Sequence, residues 1–253
     1  MKIALMQMDI LWEDKGQNLK KAEDLLIKAH NEECDVAVFP EMFSTGFSMN
    51  NSEIAEKPNG FILNRLQKMA AHRDIFIIAG IAEIVDKHYE NRAYVIDRKG
   101  VISDHYSKNY GFSYSGEDTK YHSGDKQVIF DIEGIPSSVF ICYDLRFPEL
   151  FRNVAQSVSI MFVIANWPDS RIDHWNALLK ARAIENQCFV VGVNRIGSDD
   201  NKMTYNGNSK VINPMGNEVK PFSIGDEWIF VEIDERETAF VRQRFPFLKD
   251  LKD

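Results

Sequence analysis

Short apolar runs alternate with charged segments of helical period along almost the whole chain, and few folds accommodate that alternation. Ile3 to Ile10 reads as a strand, after which Leu19, Ala22, Leu26 and Ala29 recur at helical spacing through a charged segment, predicting an amphipathic helix. Asp35 to Phe39 returns as a strand. A helix-like stretch near Phe61 to Ala71 then leads into Ile75 to Ile84, which is long enough for a buried strand. Tyr94 to Asp97 and Val101 to His105 flank Arg98-Lys99-Gly100, a hairpin signal. Gln127 to Ile132 and Pro136 to Ile141 form a second strand pair around Glu133-Gly134. Phe147-Pro148-Glu149 opens a helix with proline in its first turn. Ser159 to Ala165 (strand), His174 to Gln187 (helix) and Phe189 to Val193 (strand) follow, then a polar loop from Gly197 to Lys202. Strands at Lys210 to Ile212 and Trp228 to Ile233 precede a charged end. No linker or repeat divides the chain, so the expectation is one α/β domain over residues 1–253, with layered sheets covered by helices. Periodicity leaves open whether there is one sheet or two.

Charge and composition narrow the function. A formal charge of −8 gives nucleic acid and anionic membranes no general attraction, which favours a small ligand. The first ten residues meet a carboxylate at Asp9 and fail as a signal peptide, and no run approaches membrane-spanning length. Cys34, Cys142 and Cys188 are too few for a disulfide framework and form no metal-binding spacing. Reduced thiols in the cytoplasm are the natural expectation.

Three strand ends stand out: Phe39-Pro40-Glu41, Tyr106-Ser107-Lys108, and Ile141-Cys142 leading into Tyr143-Asp144-Leu145-Arg146. Ligands gather outside the carboxyl ends of strands in open α/β sheets, so these side chains can converge. A lone cysteine is more often a small buried hydrophobe than a nucleophile. Cys142, however, stands between an apolar strand and a helix start, where positive potential and free N–H groups favour a thiolate and a developing oxyanion. Cys34, after two glutamates, and Cys188, before an apolar run, lack that setting and read as structural. Glu41 has the bland alternative of a solvated carboxylate. Its apolar neighbours instead predict desolvation, a raised pKa and proton transfer. Lys108 is either a surface lysine or a fixed ammonium for an oxyanion.

At these segments the sequence resembles the nitrilase superfamily of carbon–nitrogen hydrolases, and the omega-amidase branch in particular. The resemblance rests on Phe39-Pro40-Glu41-Met42-Phe43-Ser44-Thr45-Gly46-Phe47, Lys108, and Cys142 through Glu149. It continues in Ala165-Asn166-Trp167-Pro168, His174-Trp175, Ala181 through Gln187, and Asn213-Pro214-Met215-Gly216. The resemblance implies a four-layer α-β-β-α sandwich, commonly paired into homodimers. It implies Cys142 as nucleophile, Glu41 as general base, and Lys108 with the Tyr143 backbone N–H as oxyanion donors, without metal or organic cofactor. Glu117 best matches a second active-site glutamate, with a solvated side chain as the equal alternative. The loop at 109–123 departs from the common pattern. Arg146 matches the arginine that binds the substrate carboxylate, the other use being an ion pair with Asp144 or Glu149. Trp167 and Phe43 are expected to wall the pocket. The implied substrate is 2-oxoglutaramate or 2-oxosuccinamate, hydrolysed to a 2-oxo acid and ammonia. The alternatives are an N-carbamoyl amidohydrolase, a nitrilase, a catalytically silent interaction module or a redox-sensing thiol protein.

Overall fold

The computed structural model describes residues 1–252. In chain order its strands are β1 (Lys2–Leu5), β2 (Val36–Val38), β3 (Phe76–Val85), β4 (His88–Ile96), β5 (Ile102–Ser107), β6 (Phe130–Ile132), β7 (Ile135–Ile141), β8 (Ile160–Ala165), β9 (Phe189–Asn194), β10 (Ile196–Ser198), β11 (Thr204–Asn206), β12 (Lys210–Ile212), β13 (Pro221–Ile224) and β14 (Ile229–Glu232). The helices are α1 (Lys15–Asn31), α2 (Asn51–Ile54), α3 (Phe61–Arg73), α4 (Glu117–Lys120), α5 (Pro148–Val154), α6 (Ile172–Asn186) and α7 (Arg236–Arg244).

Seven strands form one sheet in the order β13-β14-β1-β2-β3-β4-β5, and five form a second in the order β12-β9-β8-β7-β6. Both are parallel at the centre, through β1-β2-β3 and β7-β8-β9, with antiparallel strands outside. Alternation along the central strands explains the layering. Ile3, Leu5, Val36, Val38 and Ile78 pack in one core with Val139 and Ile141 of the second sheet. Ala4, Ala37, Ile77 and Ala79 face the other way, onto Leu19, Leu26, Leu63 and Leu66 of α1 and α3. Trp175, Leu179 and Phe151 of α5 and α6 join the first of these cores on the far side of the second sheet. The layers are therefore helices, sheet, sheet, helices, and the question left open by periodicity is answered by two facing sheets.

Several boundaries move. The first strand stops at Leu5 rather than Ile10, because the chain leaves the ladder and crosses toward the small two-stranded sheet β10-β11, where Asp9 bridges Ile196. The expected strand at Gln127 shortens to β6, and β4 begins earlier, at His88. The polar loop at Gly197 is entered and left by the hairpin β10-β11. The charged end holds α7, whose apolar face is too sparse to show a period. Arg242 helps to dock it by donating to the carbonyls of Ala155, Val158, Asn186 and Gln187. No helix among the described residues is long and apolar enough to cross a membrane.

Candidate active site

Glu41, Lys108, Cys142 and Asn166 each lie one to three residues beyond the carboxyl end of a strand: β2, β5, β7 and β8. The first two belong to the seven-stranded sheet and the last two to the five-stranded sheet. Stacking the sheets brings the four ends together. The Glu41 backbone runs hard against β3, where a Cβ on Gly80 would fall 2.6 Å from the Glu41 Cα, so only glycine fits.

Lys108 Nζ donates to Glu41 Oε1 at 2.8 Å and to Glu117 Oε2 at 2.8 Å, and all three side chains are buried. Asn91 Nδ2 bridges the two carboxylates at 2.8 and 3.0 Å. The Asn166 N–H donates to Glu41 Oε2 at 2.9 Å, and the Phe112 N–H to Glu117 Oε2 at 2.7 Å. Every oxygen of both carboxylates is thus filled. Glu117 belongs to this cluster, not to solvent. Gly116, at φ +78, turns the loop back into α4 so that a residue nine positions from Lys108 meets it.

Burial alone would push the Glu41 carboxyl up, but the Lys108 ammonium and the hydrogen bonds from Lys108, Asn166 and Asn91 outweigh it and hold the group below its ordinary value. The raised pKa expected from the apolar neighbours is corrected accordingly. Burial likewise disfavours charge on Lys108, yet Glu117 and Glu41 drive its pKa well above the usual lysine value. Cys142 goes the opposite way from the sequence expectation. Burial and the Glu41 carboxylate push its thiol well up, against the pull of Lys108. The resting pair is a neutral thiol beside a carboxylate, a state that needs a base to make the nucleophile. Cys34 and Cys188 are buried, and burial raises both to about 12.

Cys142 sits at φ +48, a left-handed conformation that a non-glycine residue adopts only where its surroundings impose it. It begins the helical turn Cys142–Arg146, whose first N–H groups, Tyr143 included, have no partner within the turn. Asp144 braces this elbow. Its carboxyl accepts from the Ile141 N–H (3.1 Å), the Tyr110 N–H (2.9 Å) and the Tyr106 hydroxyl (2.8 Å). The last two flank Lys108 in the chain.

A cavity of about 330 Å³ opens above Cys142. Arg146 and Trp167 line it, with the guanidinium 4.8 Å from the indole centroid. Arg146 pairs with neither Asp144 nor Glu149; it donates to His174 Nδ1 at 3.2 Å. Phe43 is misplaced by the sequence reading: it is buried against Phe39 in the core beneath α1 and α3. Met42 at φ +45 and Gly46 at φ +76 reverse the chain, so that Phe47 takes the place on the wall, 5.1 Å from Lys108 Nζ. Asn91, Phe112 and Arg171 carried no sequence signal. Asn166 was visible only as part of Ala165-Asn166-Trp167-Pro168. No three His, Cys, Asp or Glu residues among those described converge as metal ligands.

The family model for carbon-nitrogen hydrolases matches residues 2–243. The chain belongs to the carbon–nitrogen hydrolase family. Two relatives from within it are similar over nearly their whole length. A 2-oxoglutaramate amidase of Bacillus subtilis is 35% identical, covering 99% of this chain and 97% of its own. The omega-amidase YafV of Yersinia enterocolitica is 34% identical, covering 99% and 96%. Among solved structures, a CN-hydrolase superfamily protein of Xanthomonas campestris, with an arsenic adduct in its active site, superposes with a TM-score of 0.93. It is 30% identical, with 100% of this chain and 97% of that one covered. The carbon–nitrogen hydrolase fold is therefore the four-layer sandwich described above, and its chemistry on small molecules agrees with a buried charged cluster behind a small cavity.

Proposed function

We propose that the whole chain acts as a single omega-amidase domain, hydrolysing the terminal amide of a small 2-oxo dicarboxylic acid monoamide such as 2-oxoglutaramate or 2-oxosuccinamate. The observation carrying this reading is one cavity lined by the Cys142 thiol and the Arg146 guanidinium, with the buried Glu41–Lys108 ion pair beside that thiol. The two relatives with 2-oxoglutaramate amidase and omega-amidase names support it.

Arg146 grips the substrate carboxylate, two parallel hydrogen bonds matching its planar fork, and Trp167 keeps the guanidinium in place. Cys142 Sγ attacks the amide carbon while its proton passes to Glu41. The resulting oxyanion is held by Lys108 Nζ and the Tyr143 N–H. Glu41 returns the proton to the departing nitrogen, the C–N bond breaks, ammonia leaves and a thioester remains. Water then gives a proton to Glu41 and attacks the thioester. The C–S bond breaks, the proton goes to sulfur, and the 2-oxo acid is released. Glu117 keeps Lys108 pointed between the carboxylates. Each step uses side chains, backbone and water alone.

Assaying 2-oxoglutaramate, a nitrile and an N-carbamoyl amino acid side by side tests the reading. Ammonia from the first and an acyl adduct on Cys142 by mass spectrometry are expected. Rapid turnover of either other compound with none of the first would end the omega-amidase assignment. We further place the enzyme in the cytoplasm, in keeping with its three free thiols, as a homodimer whose mass in solution sedimentation measures.

A further inference from the structure

Arg171 ends the turn Asp169–Arg171 between β8 and α6, and its half-buried side chain lines the same cavity as Cys142 and Arg146. Its guanidinium lies 5.6 Å from the Phe112 centroid. Phe112 in turn packs on Tyr143 at 4.9 Å and donates its N–H to Glu117. The Arg171 carbonyl accepts the Trp167 indole N–H at 2.8 Å. The residue is therefore fixed to both the aromatic wall and the floor. Yet its guanidinium has no carboxylate within 4.0 Å among the described residues, and donates no hydrogen bond there. The one acid on the wall, Asp199, is otherwise engaged, accepting from the Met203 N–H at 3.0 Å and the Tyr205 hydroxyl at 2.8 Å.

A 2-oxo acid presents three neighbouring acceptors: two carboxylate oxygens and the oxo oxygen. Arg146 is matched to the first two, and one of its terminal nitrogens is already shared with His174. The third needs a separate donor. The corresponding 2-amino acid, glutamine or asparagine, offers an ammonium at that position, with three donors and no acceptor.

We propose that Arg171 reads the C2 substituent, donating to a 2-oxo oxygen beside the carboxylate on Arg146 and repelling an ammonium at the same position. This rests on the omega-amidase reading. It gives the enzyme a physical means of sparing glutamine while hydrolysing its 2-oxo counterpart, by pairing an attractive contact with a repulsive one.

The test compares kcat/KM of wild type, R171M and R171K on 2-oxoglutaramate, glutamine and glutaric acid monoamide, which carries neither substituent. In R171M the ratio of 2-oxoglutaramate to glutamine is expected to fall at least about tenfold, mainly through KM for the oxo substrate, while the unsubstituted monoamide changes less than about threefold. R171K, keeping charge but losing the fork, should still reject glutamine. A ratio unchanged in R171M, or an equal loss on all three amides, overturns the role of Arg171 alone. Failure of wild type to hydrolyse 2-oxoglutaramate sinks the omega-amidase reading and this inference with it.

Discussion

Glu41, Lys108 and Glu117, behind the floor of the cavity, are buried and mutually bonded, whereas Arg146 and Arg171 on its wall are partly exposed and rest largely on aromatic faces. On the floor, every contact fixes a charge and its protonation state. Removing one partner there leaves others buried and uncompensated, at a cost of about 3–5 kcal/mol. On the wall, the guanidiniums stay available because nothing in the protein satisfies them fully. On the proposed mechanism, reaction chemistry sits where the fold over-determines geometry, and substrate choice sits where it leaves donors unspent.

The largest break in that contrast is expected from Cys142→Ala, which should lower ammonia release by about 10⁴-fold or more with the circular dichroism spectrum unchanged, since no other thiol lines the cavity. Glu41→Gln comes next. Turnover should drop about 10²- to 10⁴-fold with KM little altered, because the work proposed for it is proton transfer in the transition state; a variant turning over at the wild-type rate would remove Glu41 from the mechanism. Arg146→Met, on the wall, should raise KM for the 2-oxo acid amide about 10- to 100-fold and leave the melting temperature nearly unmoved. An unchanged KM there would put the carboxylate elsewhere.

The smallest effect is one of pH. Because Lys108 and its companions hold Glu41 below 4.5, the carboxylate persists as pH falls and is lost only through that depressed value. The acid limb of kcat/KM assigned to Glu41 should therefore lie below the ordinary glutamate range. Asp144, raised by burial to about 7, is the other group on the elbow that titrates on the acid side. A limb near neutrality that vanishes in D144N would belong to it instead.

Glu41, Lys108 and Cys142 were legible because each interrupts the end of an apolar run, and strand ends are where a sheet delivers polar side chains. The layering was only half legible. Alternation along β2 and β3 says that two faces are buried, but not that one of them meets another sheet. Phe43 was misassigned because two left-handed residues reverse the chain within a few positions, a turn that periodicity does not see. The direction of the Glu41 shift was lost for a related reason. Its apolar neighbours in sequence are visible, while the ammonium that decides the sign is supplied from β5. Asn91 gave no signal, being a polar residue on a strand whose outer half is polar anyway.

The proposed base Glu41 and the Lys108 ammonium hang from one sheet and the Cys142 sulfur from the other. Neither half of the sandwich holds a working set by itself, so a chain with a single sheet formed is inert however native that sheet is. During refolding, ammonia production is therefore expected to return only once the two slabs have closed on each other, which makes turnover a clock for that closure.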